Sequence, residues 1–219
     1  MPANSTENMP SRGHKKRERT RNQLITAGLR TLAAKGEALT VSDVVAEADV
    51  SNGTFYNYFV DREALIDALA EHLVLVLGSE AAVEVESDDA ALRFATISAR
   101  VIARGAADPT WAHVVLRLET LRADAQLHAT RYMREDLELG RSQGRFEVGA
   151  DPATVDLVAA MLMISLRRIV TGRADFDYFV DALARLLRAL GVPRDETRDI
   201  AERALIEAGV PRDPGSRAR

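Results

Sequence analysis

Residues 40–59 read Thr-Val-Ser-Asp-Val-Val-Ala-Glu-Ala-Asp-Val-Ser-Asn-Gly-Thr-Phe-Tyr-Asn-Tyr-Phe, and this stretch decides the fold. Val41, Val44, Val45 and Ala48 recur at the spacing of one helix face, so a short amphipathic helix begins at Thr40 or Val41. Thr40 stands where an N-cap belongs, and Asp43 can take the reciprocal role of a capping box, although Glu or Gln is the usual partner. Asp49, Val50 and Ser51 form a tight turn. Asp49 occupies its left-handed position, which aspartate tolerates better than most residues. Val50 tucks between the helices and Ser51 caps the second one, read as Asn52 to Phe59. That helix sets Phe55 and Phe59 on one face and Asn52, Gly53, Thr54 and Asn57 on the other. A plain αα-hairpin, with Phe55, Tyr56, Tyr58 and Phe59 as packing residues, has no need of that polar face. A helix-turn-helix does.

The run from Thr40 to Leu65, with its Ala-Asp-Val-Ser-Asn-Gly-Thr-Phe-Tyr-Asn-Tyr-Phe-Val-Asp-Arg-Glu-Ala-Leu from Ala48 on, resembles the DNA-binding signature of the TetR (tetracycline repressor) family of bacterial transcription regulators. Residues 17–36 resemble that family's first helix and Arg62 to Leu77 its fourth. The chain departs from the pattern at Asp49, where a turn glycine is usual, and at Arg62, where lysine is common. The resemblance implies an N-terminal three-helix DNA-binding domain and a larger helical domain that dimerises and binds a ligand. It also implies a homodimer on a palindromic double-stranded DNA operator, released by a small-molecule effector. By resemblance and geometry, Ser42, Asn52, Gly53 and Tyr56 reach base edges, with Gly53 allowing close backbone approach. Thr40, Thr54, Asn57, Tyr58 and Arg62 hold phosphates, joined by Lys16 and Arg17 from the basic stretch before the first helix.

Charge distribution agrees with a polyanionic partner. The whole chain of 219 residues carries a net charge of −4. Within residues 1–35, however, Arg12, Lys15, Lys16, Arg17, Arg19, Arg21, Arg30 and Lys35 face only Glu7 and Glu18, a surplus of six that leaves the remainder ten charges negative. A basic end neutralises phosphates, and an acidic remainder keeps the rest of the molecule off the duplex.

Catalytic chemistry finds no foothold. With no cysteine, a thiolate metal site, disulfide or cysteine nucleophile is excluded. His14, His72, His113 and His128 lack metal-ligand spacing with Glu or a second His. Ser165 sits in an apolar run without a nucleophile elbow, and no glycine-rich phosphate loop is present. No enzyme activity, metal or cofactor is expected. No apolar run approaches the roughly 20 residues that span a bilayer, and the start Met-Pro-Ala-Asn-Ser-Thr-Glu-Asn lacks the apolar stretch of a signal peptide. The expectation is a cytoplasmic protein with no membrane partner.

Beyond residue 61 the chain reads as helix after helix, so the fold class is all-α. Expected helices cover Arg62 to Leu77 with a break at Gly78-Ser79, Ser87 to Arg104, a segment from Asp108-Pro109 through Leu118, Ala123 to Ser142, Val155 to Val170 after Asp151-Pro152, Phe176 to Leu190, and Asp195 to Ala208. The domain reading is a disordered basic arm over 1–14, the DNA-binding domain over 15–61, the helical domain over 62–209 and a disordered tail over 210–219. Val155 to Val170 is apolar nearly all round and calls for burial on several sides. With the following helix it supplies half of a four-helix dimer interface, through Val158, Leu162, Leu166, Leu183 and Leu187, unless it is the central helix of a monomer. Trp111, His113, Arg117, His128, Tyr132 and Ser165, with Arg168, are polar groups among apolar ones that can line an effector pocket or be satisfied within the core. A helical domain that only dimerises, or binds a protein partner, is the alternative.

Overall fold

The computed structural model describes residues 12–81, 85, 87–121 and 126–212, and all regular structure among them is helical. Helix α1 spans Arg12–Lys35. It thus begins inside the stretch read as an arm. Gly36, at φ 60°, takes the left-handed conformation that stops the helix and opens a short 3-10 turn, Gly36–Ala38. Then follow α2 (Val41–Glu47), α3 (Asn52–Tyr56) and α4 (Arg62–Ala81). Helix α4 continues through Gly78-Ser79, because a lone glycine costs a helix only about 1 kcal/mol relative to alanine.

The chain forms two compact units, Met1–Leu69 and Ala70–Arg219, with the division inside α4 rather than at Arg62. In the first unit Leu24, Ile25, Leu32, Leu39, Val44, Phe55, Leu65 and Leu69 are buried. Apart from Leu39, which follows the 3-10 turn, these residues come from α1, α2, α3 and the start of α4, so each helix contributes one apolar face to a shared core.

The second unit contains α5 (Ala90–Ala107), α6 (Pro109–Leu121), α7 (Gln126–Ser142), α8 (Pro152–Val170), α9 (Phe176–Leu190) and α10 (Arg194–Glu207). Aspartates set several of these starts. Asp89 accepts from Ala91 N–H (2.9 Å), which places the start of α5 at Ala90, and Asp108 accepts from Trp111 N–H (3.0 Å) at the start of α6. Asp151 accepts from the N–H groups of Ala153 and Thr154 just before Pro152, the start signal legible in the sequence. The Thr154 hydroxyl and backbone, hydrogen-bonded to that carboxylate, hold its pKa below the ordinary value. The expected start of α7 at Ala123 lies outside the described residues.

Helix α5 touches α6, α7, α8, α9 and α10, and the core forms around it. Helix α9 buries Phe176, Phe179, Val180, Leu183, Leu186, Leu187 and Leu190, a stripe at helical spacing. Val158, Leu162, Leu166, Leu183 and Leu187, expected at a dimer interface, are all in this chain's own core, the most exposed of them 8% accessible. The excess apolar surface of α8 is instead carried outward by Leu157 and Ile164. The segment read as a disordered tail is ordered at its start, since Val210 is buried in the core and Arg212 pairs with Glu202 at 3.3 Å.

Candidate nucleic-acid interface

Local chemistry fixes the helix-turn-helix. Thr40 Oγ1 accepts from Asp43 N–H (3.2 Å), and Asp43 Oδ2 accepts from Thr40 N–H (3.1 Å), closing the capping box. The Lys35 ammonium donates to the same carboxylate, which with the Thr40 hydrogen bond holds its pKa below the ordinary value. Asp49 adopts φ 50°, the left-handed turn position read from the sequence. Gln23 Nε2 donates to the Ala48 carbonyl at 2.6 Å and so ties α1 to this turn. Ser51 Oγ accepts from Thr54 N–H at 3.1 Å and starts α3.

Helix α3 ends at Tyr56 rather than at Phe59, with Asn57 as its C-cap. Phe55 is fully buried, its ring 5.6 Å from Phe59 and edge-on to Tyr56 at 5.4 Å. These contacts fix the roll of a short helix about its axis. Asn52, Gly53, Tyr56 and Asn57 consequently face solvent, Tyr56 at 57%. Thr40 and Ser42 are exposed on α2, while Thr54 and Tyr58 are half-buried. A Cβ added to Gly53 meets nothing closer than Ser51 Oγ at 3.8 Å, so the backbone there lies open to a partner.

An open groove of about 510 Å³ runs between α1 and the end of α3, lined by Lys16, Arg17, Thr20, Thr54, Asn57 and Tyr58. Its lining supplies two cations, two hydroxyls, an amide and a phenol, and no carboxylate. Such a lining offers donors and positive charge to an anion and nothing that repels one. The Arg17 guanidinium stands 5.9 Å from the Tyr58 ring and that of Arg21 5.8 Å from the Phe59 ring, so both cations lean on the aromatic residues that follow α3. Five of the six lining residues are among those read from the sequence. Thr20 was not, although it stands one helical turn after Lys16.

Arg62 is placed differently from its expected role at a phosphate. Its Nε donates to the Leu39 carbonyl (2.8 Å), Nη2 to the Glu37 carbonyl (2.8 Å) and Nη1 to the Glu63 carboxylate (2.9 Å). The guanidinium braces the segment between α1 and α2 against the start of α4.

The residues read as an effector pocket are scattered in environment. His113 is exposed, its Nδ1 2.9 Å from the Pro109 carbonyl, and Arg117 is half-buried. Ser165 is buried, but its hydroxyl donates to the Met161 carbonyl (2.8 Å). Arg168 is exposed, donates to the Arg173 carbonyl (3.1 Å) and stacks 4.4 Å from the Tyr178 ring. The side chains of His128 and Tyr132 lie outside what the structure describes. Trp111 is buried, and its Nε1 has no acceptor among the described residues, a condition that costs about 1–3 kcal/mol. Among the described residues no three Asp, Glu or His are grouped to hold a metal ion, and no helix is long and apolar enough to cross a membrane.

A model of bacterial regulatory proteins of the tetR family matches residues 24–69. An uncharacterized HTH-type transcriptional regulator of Bacillus subtilis (strain 168), YvdT, is 38% identical over 53 residues. That match spans 24% of this chain and 27% of that protein, about a quarter of each. Among solved structures, RolR in complex with resorcinol is 28% identical over 86% of this chain and 96% of its own, with a TM-score of 0.58. RolR without ligand gives a TM-score of 0.62 at the same identity, over 84% and 96%. TylP, a tetR regulator from Streptomyces fradiae, is 21% identical over 91% and 100%, with a TM-score of 0.64, a likeness of fold.

Proposed function

We propose that the chain, whose residues 24–69 match the tetR family of bacterial regulatory proteins, is a transcriptional repressor that binds a palindromic operator as a homodimer and releases it on binding a small-molecule effector. The observation that carries the DNA reading is the donor-lined groove beside the exposed face of α3. In this reading Lys16, Arg17, Thr54, Asn57 and Tyr58, with Thr20, take backbone phosphates, and Thr40 joins them from the start of α2. Asn52, Gly53 and Tyr56, with Ser42, meet base edges in the major groove. A single short reading helix gains specificity by pairing over two half-sites, which asks for a symmetric dimer. The surface available for it on α8 is the exposed apolar row Leu157, Ala160 and Ile164. An effector is supported by RolR, a fold relative known with resorcinol bound. A ligand that prefers the DNA-free state lowers operator affinity by its differential affinity for the two states, typically about 5- to 150-fold.

Selection from a random duplex library with the full chain tests the reading. Enrichment of an inverted repeat, bound with a steep salt dependence, is the expected result. Equal affinity for the enriched and a scrambled duplex refutes sequence-specific binding. Operator DNA must also weaken effector binding by the factor by which effector weakens operator binding.

A further inference from the structure

The helix-turn-helix itself carries no cation. From Gly36 to Asp61 the chain holds Glu37, Asp43, Glu47, Asp49 and Asp61 but neither lysine nor arginine. Three of these carboxylates are committed within the fold, Asp43 to Lys35 and Thr40, Glu47 to Arg30, and Asp61 to the Ala64 N–H. Glu37 and Asp49 stand in the turns that precede α2 and α3, not on those helices. The positive charge that faces phosphates therefore comes from α1, and the helices that face bases are without it. Arginine and lysine make the commonest specific contacts to guanine, and carboxylates those to cytosine. Neither kind is free on α2 or α3.

What the exposed face of α3 does hold is a carboxamide. Asn52 is exposed, and its side chain has no hydrogen-bond partner among the described residues. The Thr54 hydroxyl, by contrast, is 2.9 Å from that of Ser51, and Asn57 lines the groove with Lys16 and Arg17. Next to Asn52, Gly53 leaves the backbone open. A carboxamide sets an acceptor oxygen beside an NH2 donor. Adenine presents the complementary pair in the major groove, the N6 donor and the N7 acceptor.

We propose that Asn52 sets the base preference of the protein by pairing with an adenine in each half-site, its NH2 donating to N7 and its Oδ1 accepting from N6. This rests on the reading that α3 enters the major groove. The hydroxyls of Ser42 and Tyr56 discriminate less, since one hydroxyl both donates and accepts.

Affinities are measured with the full chain on the inverted repeat enriched from random duplexes and on its single-pair variants, changed alike in both half-sites. One A·T pair is expected whose change to any other pair lowers affinity by about 5- to 150-fold per half-site, the range of one bidentate contact. Replacing that adenine by 7-deazaadenine keeps the Watson–Crick pair and removes N7, and costs about 2- to 10-fold per half-site. Asn52→Ala takes nothing from the fold, because the side chain is exposed and unpartnered, and it abolishes both discriminations. Asn57→Ala keeps both and weakens every variant alike. Preferences that survive Asn52→Ala, or G·C at every discriminated pair, overturn the assignment and leave sequence-specific binding standing. Equal affinity for the enriched and a scrambled duplex refutes the DNA reading and the assignment with it.

Discussion

Helices α3 and α8 are opposites in what they leave at the surface. The five residues of α3 give Phe55 to the interior and leave Asn52, Gly53 and Tyr56 outside. The nineteen residues of α8 give Val155, Val158, Leu162 and Leu166 to the interior and leave Leu157, Ala160 and Ile164 outside. In α3 the side chains that no core requires are polar, and they differ in kind from those that pack. In α8 Asp156, Arg167 and Arg168 are outside as well, but those three apolar residues do not differ in kind from the ones that pack, so residue type alone does not separate them. What a helix offers a partner is what remains after its own fold has taken its share.

The largest effect that can break this contrast comes from one charge placed at two depths. Leu187→Asp puts an unpaired carboxylate at a position with no accessible surface, costs several kcal/mol and unfolds the second unit in a circular dichroism melt. Ile164→Asp, at 42% exposure, shifts the stability of the protomer by no more than about 0.5 kcal/mol and yields a monomer in sedimentation. If the two variants melt alike, the division of α8 and α9 into core and interface is wrong.

Tyr56→Ala carries the contrast to α3. The expected loss is about 1–3 kcal/mol in operator affinity, with no more than about 1 kcal/mol lost from stability, because the side chain is 57% exposed and its fold contact is the edge-on ring of Phe55. Arg62→Ala behaves in the reverse way. Removing its bonds to the Glu37 and Leu39 carbonyls costs about 1–3 kcal/mol of stability, while the salt slope of DNA binding stays the same. A slope reduced by about 1 with stability intact returns Arg62 to the phosphates. The smallest change is expected at Asp49→Gly, where relief of the left-handed backbone raises stability by at most about 1 kcal/mol in a denaturant titration.

Signals carried within three or four residues were legible in the sequence. Thr40 with Asp43, Ser51 with Thr54, and Asp151 ahead of Pro152 act on the backbone beside them, so their spacing alone reveals them. The end of α3 was not legible. Phe59 N–H still bonds to the Phe55 carbonyl at 3.0 Å, so the apolar period runs on past Tyr56 although the regular helix has stopped. Arg62 misled for another reason. Its carbonyl partners lie more than twenty residues earlier in the chain, and nothing near it in sequence points to them. The same holds for Arg93, which meets the buried Asp136 of α7 at 3.0 Å, and for Gln23 at the turn. The groove's lining was legible in part, since each wall is built from neighbours one helical turn apart, Thr54 with Tyr58 on one side and Lys16 with the unread Thr20 on the other.

That groove also bears on how the protein behaves on a chromatography column. The chain is negative overall, with an isoelectric point of about 5.7, and at neutral pH an anion exchanger retains it. Lys15, Lys16, Arg17 and Arg19 are nonetheless exposed on α1, beside a cleft lined by no carboxylate. Heparin, a sulfated polymer that imitates a phosphate backbone, engages the same cations. One preparation is thus held by resins of opposite sign, and a bound duplex cancels its retention on heparin alone.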